Sequence, residues 1–203
     1  MEKEPTTLYD KDYFEYLLNR GEFRKFVRGF YLKDIKNFCK GKTIDFGCGV
    51  GELLKLLPSG SIGLEINPVA VTYCQSIGLD VRLYSPETDN YKLEILPKGP
   101  FSTFTMNHVL EHIEDSQKTI KILFDSCYRL GIERIVFTVP GIKGYKSDST
   151  HQTFINKKYF ADNGLLDNKF YKLIRSKYFP INSEQFSRLF THNELRLVFE
   201  KIK

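Results

Sequence analysis

At residues 42–51 an apolar segment, KTIDF, runs directly into GCGVG, which puts glycine at positions 47, 49 and 51. No other feature restricts the fold as much. Glycine inside a regular element costs backbone entropy, so three at alternate positions mark a chain that turns sharply or lets something approach its backbone. A short strand over Thr43–Phe46, a glycine turn and a short helix over Glu52–Leu57, stopped by Pro58, is the reading that follows.

The same alternation continues. Ser61–Ile66 reads as a second strand, and Asn67–Pro68 then starts a helix, with a capping side chain followed by a preset φ. Gly78 ends that helix. Asp80–Tyr84 and Phe101–Met106 are the third and fourth strands. A helix over Asp115–Leu130 carries Ile120, Leu123, Phe124 and Cys127 on one face, and Arg134–Val139 is the fifth strand. Strand and helix in alternation imply parallel strands joined by right-handed crossovers. The end breaks the rhythm: Lys169–Phe179 and Leu195–Ile202 read as strands flanking a helical stretch, Ser183–Phe190. The expected fold is α/β, a three-layer α/β/α sandwich around a seven-stranded, mostly parallel sheet with a C-terminal antiparallel hairpin. Ahead of it, residues 12–39 hold a helical stripe of bulky apolar groups, with Arg24, Lys25, Arg28, Lys33 and Lys36 on the other sides. That divides a single domain of 1–203 into an N-terminal helical cap (1–40), a ligand-binding core (41–140) and a substrate-side loop with the terminal hairpin (141–203).

Composition narrows the class. No apolar run approaches the ~18 residues of a membrane span, and the N-terminus lacks a signal-peptide core, so the expectation is a cytoplasmic protein. The four cysteines, Cys39, Cys48, Cys74 and Cys127, include no C-x-x-C pair, which leaves zinc and redox motifs unsupported. Residues 141–203 hold 12 Lys+Arg against 6 Asp+Glu, so the net charge of +5 comes from the last third. A solvated face or attraction for an anionic acceptor explains it.

In an open parallel sheet the ligand lies beyond the carboxyl ends of the strands, where strand order reverses. A dinucleotide pyrophosphate is the obvious candidate, but the spacing differs from G-x-G-x-x-G, and Glu52 directly after the turn is unwelcome beside phosphate. Asp45 suits a ligand with an ammonium group. Glu65, at the end of the second strand, can accept the hydroxyls of a ribose, and Ile66 can pack on an adenine face.

TIDFGCGVG, followed by GLEIN and MNHVLEHIED, resembles the class I, Rossmann-like S-adenosylmethionine-dependent methyltransferases over roughly residues 40–140. The resemblance implies that the turn (Gly47, Cys48, Gly49, Gly51) holds the methionine part of S-adenosyl-L-methionine, that Asp45 helps to hold its ammonium group, and that Glu65 takes the ribose. Asn107 falls where the family contacts the methionine moiety, with His108 beside it. After the third strand, where the family meets the adenine amino group, YSPETDN offers both Ser85 and Glu87.

The acceptor side is less marked. His108 and His112 are four apart and would share a face if the helix begins there. His151, in a long polar loop after the fifth strand, is the candidate base, and His112, after the fourth strand and close to the expected methyl-donor pocket, is a second catalytic candidate. Asp148 either orients the His151 imidazole or caps a turn. Glu111 reads as a helix-start residue, Cys48 as merely small, and His192 receives no role. No metal is assigned, because His108, His112, Asp148 and His151 would have to converge. The expected activity is methyl transfer to a small molecule, such as a hydroxyl oxygen of a sugar or an anionic metabolite. The alternatives are an RNA or protein acceptor, or a cofactor-binding subunit without turnover.

Overall fold

The computed structural model describes residues 22–202. Helix α1 spans Glu22–Phe38; residues 12–21 of the expected stripe, and the cap before them, lie outside the described residues. Strand β1 (Lys42–Phe46) follows, then β2 (Ile62–Glu65), helix α2 (Pro68–Ser76) and β3 (Val81–Leu83). After them come α3 (Pro86–Asp89), β4 (Phe101–Asn107), α4 (Ser116–Leu130) and β5 (Arg134–Val139). Helices α5 (Ile142–Lys146) and α6 (Lys157–Asp162) precede β6 (Tyr171–Phe179) and β7 (Glu194–Lys201).

The strands form one seven-stranded sheet in the order β3-β2-β1-β4-β5-β7-β6. Pairings among β1–β5 are parallel, while β7 runs antiparallel to both β5 and β6. The last strand inserts beside β5 and leaves β6 at the edge. Strand order reverses between β1 and β4, so the switch point is the crevice beyond their carboxyl ends.

Period-2 alternation assigns the layers. Ile135, Phe137 and Val139 of β5 join the large core under α4, with Ile120, Leu123, Phe124 and Cys127. Val136 and Val198 face the other way, onto Phe38 of α1. Leu32 and Ile35 of the same helix pack on Leu53. Helix α1 is thus part of one layer and more than a lid. Asn67 caps α2 through its side chain, accepting from the Val69 and Ala70 N–H groups, and Gly131 closes α4 at φ 84°.

Several expected elements differ. The helix over Glu52–Leu57 is a single 3-10 turn, Leu54–Leu56, ended by Leu57, which is extended (φ −82°, ψ 161°) as a residue before proline prefers. The Ser183–Phe190 stretch likewise shrinks to Phe186–Arg188. The polar loop after β5 contains α5, and YSPETDN contains α3. Among the described residues, no helix is long and apolar enough to cross a membrane.

Candidate functional site

Gly47, Gly49 and Gly51 all have positive φ, at 70°, 54° and 72°. Two of them are also fixed by contact. A Cβ on Gly47 would meet Val109 Cγ2 at 2.5 Å, and one on Gly51 would meet Leu79 Cδ1 at 2.4 Å. The turn folds back on β2: Gly47 N–H donates to Leu64 O at 2.8 Å, and Gly49 N–H donates to Glu65 Oε2 at 2.7 Å. Cys48 is buried against Gly63, and burial pushes its thiol pKa far up, which removes it as a nucleophile.

Glu65 is 8% exposed. Besides Gly49, its carboxylate accepts from Ile66 N–H (2.9 Å) and Asn67 N–H (3.0 Å), both on Oε1. A carboxylate offers about four acceptor positions, so one, on Oε2, is left for a ligand hydroxyl. The expected grip on both ribose hydroxyls therefore needs a backbone donor to yield. Ile66 beside it is 40% exposed, as an apolar platform requires.

Asp45 is almost fully buried. Burial pushes its carboxyl up to about 7, the Glu65 charge adds to this, and the Asn107 amide and Arg28 oppose it. Asn107 Nδ2 donates to Thr105 Oγ1 at 2.9 Å and reaches Asp45 Oδ1 at 3.5 Å, while its Oδ1 is buried with no hydrogen-bond partner. A buried acceptor without a donor is costly. Together with a carboxylate held short of full ionisation, it fits an ammonium group, which brings several N–H donors and a positive charge. Arg28 of α1 pairs with Glu52 just after the turn, so the helix is tied down over this crevice. Ser85 and Glu87 lie on the exposed rim, where Ser85 Oγ donates to Glu87 Oε2 at 2.9 Å.

A second group gathers at the carboxyl ends of β4 and β5. His108 and His112 do not share a helical face, because α4 starts only at Ser116 and His108 sits at φ 56°. His108 Nε2 lies 3.1 Å from Glu194 Oε1 and its Nδ1 3.3 Å from Glu111 Oε1. Burial alone would depress its pKa; the two carboxylates override that and push it up to about 10. Both ring nitrogens are thus committed, and neither faces a cofactor as a free lone pair. Glu194 also faces Arg196, which is fully buried and lies 3.1 Å from Asp34 on α1. This charged row from Glu111 to Asp34 escaped the sequence reading because its members are far apart in the chain. The signal present was an arginine inside an apolar strand, ELRLVFEK.

Glu111 is no helix-surface residue. Its side chain is 1% exposed, and neither carboxylate oxygen accepts a hydrogen bond of good geometry. Its carbonyl accepts from the Gln152 and Thr153 N–H groups at 2.7 and 3.1 Å, which folds the loop after α5 back onto it. That brings His151 Nε2 to 3.9 Å from Glu111 Oε1. The residue that orients the His151 ring is Tyr145: its carbonyl accepts from Nδ1 at 2.8 Å, and its ring stacks on the imidazole. Asp148 instead caps the turn, accepting from Thr150 N–H and Oγ1 at 2.9 and 2.6 Å, and its other oxygen stays 3.9 Å from His151 Nε2. Thr150 has given its proton to Asp148, so it accepts from His112 Nδ1 at 3.1 Å. His112 and His151 rings stand 4.7 Å apart.

The sequence profile of a family described as a methyltransferase domain matches residues 20–200. No curated protein matches the chain. Among solved structures, an S-adenosylmethionine-dependent methyltransferase from Archaeoglobus fulgidus is similar at TM-score 0.66 and 19% identity, covering 95% of this chain and 100% of that one. The N-methyltransferase NodS from Bradyrhizobium japonicum, with S-adenosyl-L-homocysteine, is similar at 0.61 and 12%, covering 93% and 92%. The small RNA methyltransferase HEN1 is similar at 0.63 and 15%, covering 89% of this chain and 25% of that one. A glycine turn at the switch point, an acid ending β2, and a profile match over nearly the whole chain converge: the chain belongs to the methyltransferase-domain family, with the class I, S-adenosylmethionine-dependent fold.

Proposed function

We propose that this methyltransferase acts on an oxygen of a small-molecule acceptor. The reading is carried by one observation: the His151 imidazole, held by its Nδ1–H on Tyr145 O, places Nε2 3.9 Å from the buried Glu111 at the carboxyl ends of β4 and β5. When bound, S-adenosylmethionine supplies a sulfonium methyl group open to in-line attack. Asp45 and the unpaired Asn107 Oδ1 receive its ammonium N–H groups, Glu65 accepts a ribose hydroxyl, and the glycines allow close backbone approach. Ile66 packs on the base, with Ser85 or Glu87 at its edge. His151 Nε2 takes the acceptor's hydroxyl proton, and the Glu111 charge stabilises the imidazolium formed. Alignment and exclusion of water supply the rest.

The test is methyl transfer from labelled S-adenosylmethionine to a panel of sugars, phosphorylated sugars, hydroxy acids and phenols. His151→Ala should spare S-adenosylhomocysteine binding and lower turnover by about 10²-fold or more. Unchanged turnover in that variant would remove the imidazole from the mechanism. An RNA acceptor is favoured by one observation, the exposed Lys172 and Arg175 on the edge strand β6. RNA retarded in low salt and methylated in preference to the panel would establish it instead.

A further inference from the structure

Glu111, His112 and His151 bring a carboxylate and two imidazoles together, and of the neighbouring groups His108 faces Glu111 from the other side. The His151 Nδ1–H is spent on Tyr145 O, so Nε2 is the ring nitrogen left to face a ligand. That nitrogen is 3.9 Å from Glu111 Oε1 and 3.9 Å from Asp148 Oδ2, both too far for a hydrogen bond. Glu111 is buried; neither oxygen accepts a hydrogen bond of good geometry, and the ion-pair contact of Oε1 with His108 Nδ1, at 3.3 Å, leaves Oε2 for a ligand. The hydrogen-bond chain Asp148–Thr150–His112 fixes the second ring in the same way, with its proton on Nδ1 and its lone pair on Nε2. One ligand atom each from Glu111, His112 and His151 lies within 4.8 Å of the others.

We infer that Glu111, His112 and His151 form a binding site for one divalent transition-metal cation, with Asp148 at its open side. Two imidazoles and one carboxylate are a donor set for manganese, iron, cobalt or zinc, whereas magnesium prefers oxygen alone. Metal–ligand bonds of about 2.1 Å require the three groups to close in modestly. Tyr145 O and Thr150 Oγ1 occupy the outer positions that orient ligating imidazoles. His108, held between Glu111 and Glu194, keeps the Glu111 carboxylate turned inward and is not itself a ligand. Three protein ligands leave coordination positions for water or an acceptor oxygen.

The inference rests on the proposed function for the oxygen acceptor and replaces the His151 base by the cation. With the cation in place the His151 lone pair is taken. The acceptor hydroxyl then binds the metal, its proton passes to solvent, and the oxygen forms its bond to the methyl carbon as the carbon–sulfur bond breaks to leave a neutral thioether.

Metal binding is testable without an acceptor. Chelator-treated full-length protein is titrated with cobalt(II) chloride and followed by visible absorption, then with zinc or manganese in competition. One saturable equivalent is expected. Glu111→Gln and His151→Ala should each weaken it by about 10-fold or more, and Thr150→Val, which loses the hydroxyl between Asp148 and His112, by ~10-fold. His192→Ala, remote from the cluster, should change nothing. Absence of a saturable cobalt spectrum at millimolar metal, or equal affinity in Glu111→Gln and wild type, overturns the site. S-adenosylhomocysteine binding, measured in parallel, separates the two ideas. Retained cofactor binding without metal binding sinks only this inference; loss of cofactor binding in the wild type sinks the proposed function.

Discussion

The ionisation of Asp45 gives the sharpest quantitative test of the cofactor site. The buried carboxyl titrates at about 7, against an ordinary value of 3.8, because it is desolvated beside Glu65 of β2, with only the Asn107 amide of β4 and Arg28 of α1 favouring its charged form. An ammonium ligand binds the ionised form, so below neutrality a proton must leave before binding. At pH 5 about 1% of Asp45 is ionised and at pH 7.5 about three quarters, so affinity for S-adenosylhomocysteine should rise about 70-fold across that range, some 2.5 kcal/mol in binding free energy. Near pH 7, calorimetry in buffers of different ionisation enthalpy should register about half a proton released per ligand bound. The free protein should show the opposite trend. A carboxyl whose folded pKa is raised contributes stability that is fully present below its unfolded value of 3.8 and is lost as pH rises through about 7. Asp45→Asn should therefore flatten the binding curve, weaken binding at pH 7.5 and stabilise the free protein there. Affinity independent of pH in the wild type, or an unchanged profile in Asp45→Asn, would refute the assignment of the ammonium to this carboxylate.

Three further outcomes follow from the geometry. Glu65→Ala should weaken S-adenosylhomocysteine binding by about 2 kcal/mol, because a ligand hydrogen bond is lost and Gly49 N–H loses its acceptor; equal dissociation constants would remove Glu65 from the site. Gly47→Ala should cost about 2 kcal/mol in denaturant unfolding from strained φ and the Val109 contact. Adding Val109→Ala should return only part of that, and complete recovery would mean φ contributes nothing. Arg196→Leu should destabilise by about 3–5 kcal/mol, since it leaves Glu194 and Asp34 facing a buried apolar group; a thermal midpoint unchanged from wild type would show that the buried row is energetically idle.

The residues of the proposed cofactor crevice could be named from the sequence because they are local. Asp45, the glycines and Glu65 occupy two adjacent parallel strands, and the positive-φ turn demands glycine wherever it occurs. The strand rhythm likewise predicts the sheet, since alternation sets which residues face each layer. The acceptor half was not local. Glu111 reads as a helix-start acid in the sequence, and only the return of the loop at Gln152 and Thr153 onto its carbonyl buries it against His151. Asp148 lies three residues from His151 and yet turns to Thr150, because its own turn offers nearer donors. His108 is placed beside the cofactor by the sequence, and only β7, inserted between β5 and β6, brings Glu194 to its ring. The sequence alone determined the order of strands and helices along the chain and the residues of the glycine turn, which follow from short-range backbone preference and periodicity, while the family was read from the resemblance of its motifs. Tertiary structure alone decided which ionisable groups meet across the crevice, because burial and charge pairing depend on chain segments that are remote in sequence.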